Sequence, residues 1–220
     1  MKYIVYIFVF MFSVSIFAQK LRPFVGGAAY LHTDFERSAF GNFSLGSEIK
    51  VVKFFRFEIE VGYMLGNLQD VIIRNDKGLT MSASEKSVSA MNYSFCPKII
   101  IGDYEEDSGY IQILPRYTFS SIDAKRELTS RNPIDLSNPI RERKKVSDVQ
   151  HSLGIGVGYI FNFPGENQNS LALNLYYNGI DLGKALNKLN TNSDSYNYST
   201  QDAMGLGINF YLGLKKKKNR

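Results

Sequence analysis

Two neighbouring segments carry charged side chains at alternate positions. The first holds Glu48 and Lys50; the second holds Arg56, Glu58 and Glu60. Residues two apart share one face of an extended strand. A three-residue turn at Val52-Lys53-Phe54 would set Val51 opposite Phe55, Lys50 opposite Arg56 and Glu48 opposite Glu58. The direct pairs would then be like-charged. The diagonals Lys50–Glu58 and Glu48–Arg56 would be opposite in sign and within reach of long side chains. Lys98 and Arg116, on the same parity of two later segments, would join them. Charges enclosed away from water must pair, so the set reads as a salt-bridge network filling an interior. The sharper alternative is a gate or selectivity ring in a small pore. Glu58 and Glu60 could also be an acid–base pair, but Arg56 and Lys50 lie close enough to neutralise them and nothing supplies a substrate cleft.

Other reactive residue types are sparse. His151 and Ser152 are adjacent, so in a strand they point to opposite faces; His151, on the apolar parity, reads as an interfacial residue. His32, Asp34 and Ser38 gather where a first strand would enter a loop, which admits acyl-transfer chemistry at a rim only weakly. Two histidines and one cysteine, Cys96, show no metal-ligand spacing, and no cofactor motif is present. Cys96 falls on the polar parity and reads as a packed interior thiol. The run containing Arg141, Arg143, Lys144 and Lys145 reads as a solvated basic patch on a loop, suited to anionic saccharide or phosphate. Asn187–Asn197, with Tyr196 and Tyr198, reads as a mobile loop tip with adaptable binding chemistry.

The elements that would hold these residues alternate with period two. Phe55, Phe57, Ile59, Val61 and Tyr63 oppose Arg56, Glu58, Glu60 and Gly62. Eight strands are expected, over 23–31, 42–51, 55–64, 88–101, 110–119, 150–161, 170–178 and 203–213. Several have the roughly 9–11 residues of a tilted membrane strand. Short connections at 52–54, 102–109 and 162–169 alternate with long polar ones at 34–41, 65–87, 120–147 and 179–199. In front of them, Lys2, an apolar run from Tyr3 to Phe17 and the small Ala18 form a secretory leader, with cleavage expected after Ala18. The formal charge of +5 is concentrated in the tail Lys215-Lys216-Lys217-Lys218-Asn219-Arg220, which does not make the broad basic surface of a nucleic-acid binder.

Period two does not itself say which face is inside. Three features put the apolar parity outside. The polar parity carries Gly154, Gly156, Gly158, Gly205 and Gly207, which would weaken a solvated face but leave room in a narrow lumen. Aromatics gather near strand ends on the apolar parity, at Phe43, Phe55, Tyr63, Tyr159, Phe161, Tyr177 and Phe210, as in interfacial girdles. Alternating short and long connections suit short periplasmic turns and longer outward loops.

On these residues the chain resembles the small eight-stranded outer-membrane β-barrel family, which includes the OmpA-type and OmpX-type barrels and related Bacteroidetes proteins. The resemblance spans residues 19–214 and ends in the alternating strand that includes Phe210-Tyr211-Leu212. It implies an all-β, closed antiparallel up-and-down transmembrane barrel. The expected organisation is a signal peptide over 1–18, a barrel over 19–214 and a basic periplasmic tail over 215–220, with both termini periplasmic. The family's last strand usually ends the chain at an aromatic; here Leu214 and the basic tail follow. A non-enzymatic structural or interaction role is expected, such as an accessory subunit of an envelope complex. A small passive channel is the alternative, and a rim-active lipid enzyme is a weaker one. The partners implied are outer-membrane lipid and lipopolysaccharide, an envelope protein, and the barrel assembly machinery during biogenesis, with no nucleic acid.

Overall fold

The structure, a computed structural model, describes residues 21–31, 40–68, 70–102, 108–132, 137–164, 169–189 and 203–213. The leader, the tail, the His32–Asp34–Ser38 group and the Tyr196–Tyr198 loop tip lie outside the described residues. Among these described residues nine strands form: β1 Leu21–Leu31, β2 Phe40–Val52, β3 Phe55–Asn67, β4 Val71–Arg74, β5 Thr80–Ile101, β6 Gly109–Ser130, β7 Ile140–Asn162, β8 Ser170–Asn178 and β9 Ala203–Tyr211. All pairings are antiparallel and run β3-β2-β1-β9-β8-β7-β6-β5, and a β3–β5 pairing closes the ring. β4 stands outside it, beyond the end of β3, paired only to the far end of β5. The chain is therefore a closed eight-stranded up-and-down barrel.

The expected strands are present with two corrections. In the β2–β3 hairpin, Lys50 faces Arg56 and Glu48 faces Glu58, but Phe55 faces Val52, because the register shifts between Lys50 and Val52. Val51 is thus the extra residue of an irregular turn. The second correction is larger. Much of the segments 65–87 and 120–147, expected as loops, is strand. β5, β6 and β7 are 22, 22 and 23 residues long, about twice what a membrane strand needs. With β4 they form a sheet rising beyond one end of the barrel.

Burial alternates inside out. Leu153 is 75% exposed, Leu206 70% and Phe43 68%, while Arg56 and Lys98 are fully enclosed. An exposed apolar wall around a charged interior is the arrangement of a barrel whose outer solvent is hydrocarbon. Glycines on the inward parity stand beside large rings. Gly205 lies across from Tyr30 and Tyr176, Gly207 lies across from Ala28 and is overlain by the Tyr176 ring, Gly46 lies across from Phe24 and Gly66 from Phe40. A Cβ at Gly207 would sit 2.6 Å from the Tyr176 ring. These glycines make the space that the aromatic side chains fill.

The segment after β8 is also not the loop expected. It folds into the barrel mouth. Ile180 leads into a one-turn helix, α1 (Gly183–Asn187), and Leu182, Ala185, Leu186 and Leu189 are buried against Met64, Val88, Ala90, Ile122 and Ala124 of the wall. At the opposite end Phe24, Ile100, Tyr110, Ile160, Ala172 and Tyr211 form a second apolar cluster. The charged parity lies between these two closures.

Candidate functional site

Glu48 of β2 is the hub of the enclosed charges. Its Oε1 accepts hydrogen bonds from Arg56 Nη1 at 2.6 Å and Arg22 Nη1 at 3.3 Å, and its Oε2 accepts one from Lys98 Nζ at 2.8 Å. Lys98 Nζ lies 2.6 Å from Glu58 Oε2 and donates to Tyr211 Oη at 2.7 Å. Tyr211 in turn donates to Glu58 Oε2 at 3.0 Å. One step nearer the mouth, Arg116 makes a two-pronged contact with Glu60, both distances 3.2 Å, and its Nη2 is 3.9 Å from Glu58 Oε1. Every cation also faces a ring: Arg22 and Lys98 lie over Tyr211 at 5.1 and 4.4 Å, Arg56 over Tyr110 at 5.2 Å, and Arg116 over Tyr176 at 4.7 Å.

Of the residues read as the lumen network, the structure joins Glu48, Arg56, Glu58, Glu60, Lys98 and Arg116. The Glu48–Arg56 diagonal forms; Glu58 is met by Lys98 diagonally from the adjoining strand β5 and by Tyr211 from across the lumen. Lys50, half-buried, lies near the hairpin end of β2. Sequence reasoning missed Arg22 and Tyr211. Arg22 precedes the expected start of the first strand, although its parity matches the inward positions. Tyr211 ends a run of inward positions, and aromatic rings draw attention as wall residues rather than as hydroxyl donors.

The network links β1, β2, β3, β5, β6, β8 and β9, since Arg22 also donates to Ser170 Oγ at 2.8 Å. Four cations surround three carboxylates, which leaves one positive charge in excess, faced by the electron-rich tyrosine rings. Between this layer and the mouth plug lies a polar cavity of about 20 Å³, bordered by Tyr30, Asn42, Glu60, Asn92, Ser94 and Arg116. That is room for about one water molecule. The carboxylates face cations rather than a cleft, so the arrangement crosslinks strands. Cys96 is buried on the inward face. Among the described residues no group of three or more His, Cys, Asp or Glu side chains could hold a metal.

The basic patch sits on strand β7, not on a loop, and is split between its faces. Arg141, Arg143 and Lys145 take the outward parity, whereas Lys144 takes the inward one, opposite Arg126. Arg143 lies 3.0 Å from Glu127 and Lys145 3.2 Å from Asp123. Ser147 Oγ donates to Asp123 at 2.5 Å, and this bond, with Lys145, holds the Asp123 carboxyl below the usual range. Nearer the barrel on the same outer face, His151 Nδ1 and Tyr117 Oη are 2.6 Å apart and the Phe119 ring lies 5.2 Å from the imidazole.

No family profile and no curated protein matches the chain. Solved structures do. Neisserial surface protein A is 8% identical with a TM-score of 0.41, over 89% of this chain and 97% of that one. Ail, the attachment invasion locus protein of Yersinia pestis, is 10% identical with a TM-score of 0.40, over 89% and 98%. The N-terminal β-barrel domain of Pseudomonas aeruginosa OprF is 13% identical with a TM-score of 0.27, over 88% and 97%. The solved structures similar to this chain are small outer-membrane β-barrels. The likeness is one of architecture, and no residue role is carried from it.

Proposed function

We propose that this protein is a sealed, non-enzymatic outer-membrane barrel that acts through the sheet it raises above the membrane, as a surface recognition or interaction protein. The observation that carries this reading is the filled lumen: an aromatic closure, a crosslinked ionic layer and an apolar plug follow one another along the axis. An eight-stranded barrel is just wide enough for side chains to fill, and here they do. What remains for function is the outside.

The exposed apolar wall fits hydrocarbon, and the aromatic cluster of Tyr117, Phe119 and His151 fits the interface above it. Arg143 and Lys145 on the same face then stand at the height of lipopolysaccharide phosphates. With the raised sheet facing outward, the even strand number supports the reading of both barrel ends as periplasmic. Assembly machinery in the envelope inserts the barrel, and an envelope protein partner would bind the sheet, not the lumen.

The test is ion conductance of purified, refolded protein in planar bilayers, alongside extraction of the native protein from outer membranes. Detergent-dependent extraction with no unitary conductance is expected. Stable conductance steps would replace this reading with a passive channel, and recovery in a detergent-free periplasmic extract would overturn the membrane placement itself.

A further inference from the structure

The raised sheet has two edges of opposite character. β7 pairs with β8 only from Ile155 onward, so its raised half is one edge. That half carries Arg141, Glu142, Arg143, Lys144 and Lys145 in succession. Dense charge of this kind guards an edge against pairing with another chain. β4 is the other edge, last in the strand order and, among the described residues, paired on one side alone. It reads Val71-Ile72-Ile73-Arg74, without proline or lysine. All four side chains are exposed, the three aliphatic ones by 50% to 58%. An exposed aliphatic edge is a template for a further strand.

The residues around β4 specify which strand fits. Ile73 faces Ser82 and Arg74 faces Thr80, so the extra residue of this pairing lies on β5 and β4 itself is regular. Asp70, immediately before β4, is exposed. Asp70, Ile72 and Arg74 then share one face, and Val71 and Ile73 share the other. Asp70 and Arg74 stand about 13 Å apart along an extended chain, too far to pair within one copy. Set antiparallel to itself about Ile72, the segment places Asp70 opposite Arg74 twice, Val71 opposite Ile73 twice and Ile72 opposite Ile72. Opposite charges close both ends of an aliphatic centre. A slip that sets Asp70 against Ile73 loses both ion pairs.

Strands paired in this way are related by a two-fold axis normal to the sheet. The raised sheet continues the barrel wall, so that axis lies parallel to the membrane. It turns the second copy upside down, and two barrels in one bilayer cannot meet through it. Ile72 faces Ala83, and Met91 faces Ser121, where the wall turns polar. From Met91 to Ala83 the strand covers about 26 Å, so β4 stands clear of the bilayer. We infer that β4 is a homotypic adhesion edge: a second copy in an apposed membrane adds its own β4 antiparallel to this one, Asp70 of each copy meeting Arg74 of the other. A strand pair this short falls well below the roughly 1,200 Å² of a standard specific interface. One contact is therefore weak, and many between two membranes add. The edge rests on the reading of the raised sheet as the working surface and names its partner.

The experiment measures, by light scattering, the clustering of phosphatidylcholine vesicles that carry the full-length protein, reconstituted from detergent so that copies face both ways. Parent vesicles are expected to cluster. Asp70→Arg and Arg74→Asp each set like charges across both ends of the contact, and each should slow clustering at least tenfold. Mixed with one another, the two should cluster within threefold of the parent, because each supplies the charge that the other lacks. The double variant Asp70→Arg/Arg74→Asp keeps the parent's net charge and should cluster alone. Asp76→Arg and Lys77→Asp make the same charge changes just beyond the paired segment and should behave as the parent. Heat-dependent gel mobility checks that each variant retains the barrel. Single variants that cluster like the parent, a mixture as inert as its components, or equal loss in the Asp76 and Lys77 variants overturns the pairing. Parent vesicles that stay dispersed overturn the second copy as occupant and leave the edge to a strand of another protein. The sealed barrel still stands in that case if conductance is absent, so the two readings fail separately.

Discussion

Glu48 is the residue on which the interior depends most. Three cations, Arg22, Arg56 and Lys98, converge on one carboxylate that is 1% exposed. Removing one partner of a buried ion pair leaves uncompensated charge and costs about 3–5 kcal/mol. Glu48→Gln keeps the shape and removes the charge, so it should lower the unfolding free energy obtained from urea titration by about that amount. Glu127→Gln breaks an exposed pair with Arg143 and should cost about 0–1 kcal/mol. Similar losses in the two variants would show that the enclosed network carries little stability. Gly207→Ala probes the same interior by volume. The new methyl meets the Tyr176 ring at 2.6 Å. That ring is pinned, because Asn174 donates to its hydroxyl at 2.9 Å and Arg116 lies over its face. A loss of about 1–3 kcal/mol is expected from overpacking, measured by the same denaturation. The space made by inward glycines was legible from their parity alone. Which ring fills each space depends on cross-strand register, which one strand's sequence does not carry.

At the scale of elements, depth decides the effect of a substitution. Ile59 projects from the middle of β3 and is 51% exposed. Ile59→Arg should cost about 2–4 kcal/mol at the bilayer midplane, whereas Ser121→Arg, where the wall of β6 turns polar, should cost about 0–1 kcal/mol. Folding into vesicles followed by urea titration separates them, and equal costs would argue against a lipid boundary between these two levels. The wall strands were readable because lipid and lumen impose opposite chemistry on alternate residues. Above that boundary both faces meet water. Ser82, Ser84, Glu85, Lys86 and Ser87 on β5 therefore show no apolar alternation, and the strand continuation was hidden. The plug left a clearer signal. Leu182, Ala185, Leu186 and Leu189 follow helical spacing, but a single turn of helix among glycine and asparagine is too short for that period to stand out from a loop.

The molecule as a whole is closed by barriers in series, and this has a consequence that no single element shows. The plug of Leu182, Leu186 and Leu189 closes the mouth, the Glu48 network spans the middle, and Phe24, Tyr110 and Tyr211 close the far end. An ion crossing the lumen must pass all three, so opening one leaves resistance high. Replacing residues 180–189 with a Gly-Ser linker should therefore leave planar bilayers silent. Combining that replacement with Tyr211→Ala removes the plug, the far-end ring and the hydroxyl that joins Lys98 to Glu58. Only this combination should produce small conductance steps. Their selectivity should favour anions, because four cations face three carboxylates in the layer that remains. A channel opened by the plug replacement alone would mean that the ionic layer passes ions and that the plug is the gate. Silence in the combined variant, with the barrel intact by gel mobility, would mean that the crosslinked side chains alone suffice to block the axis.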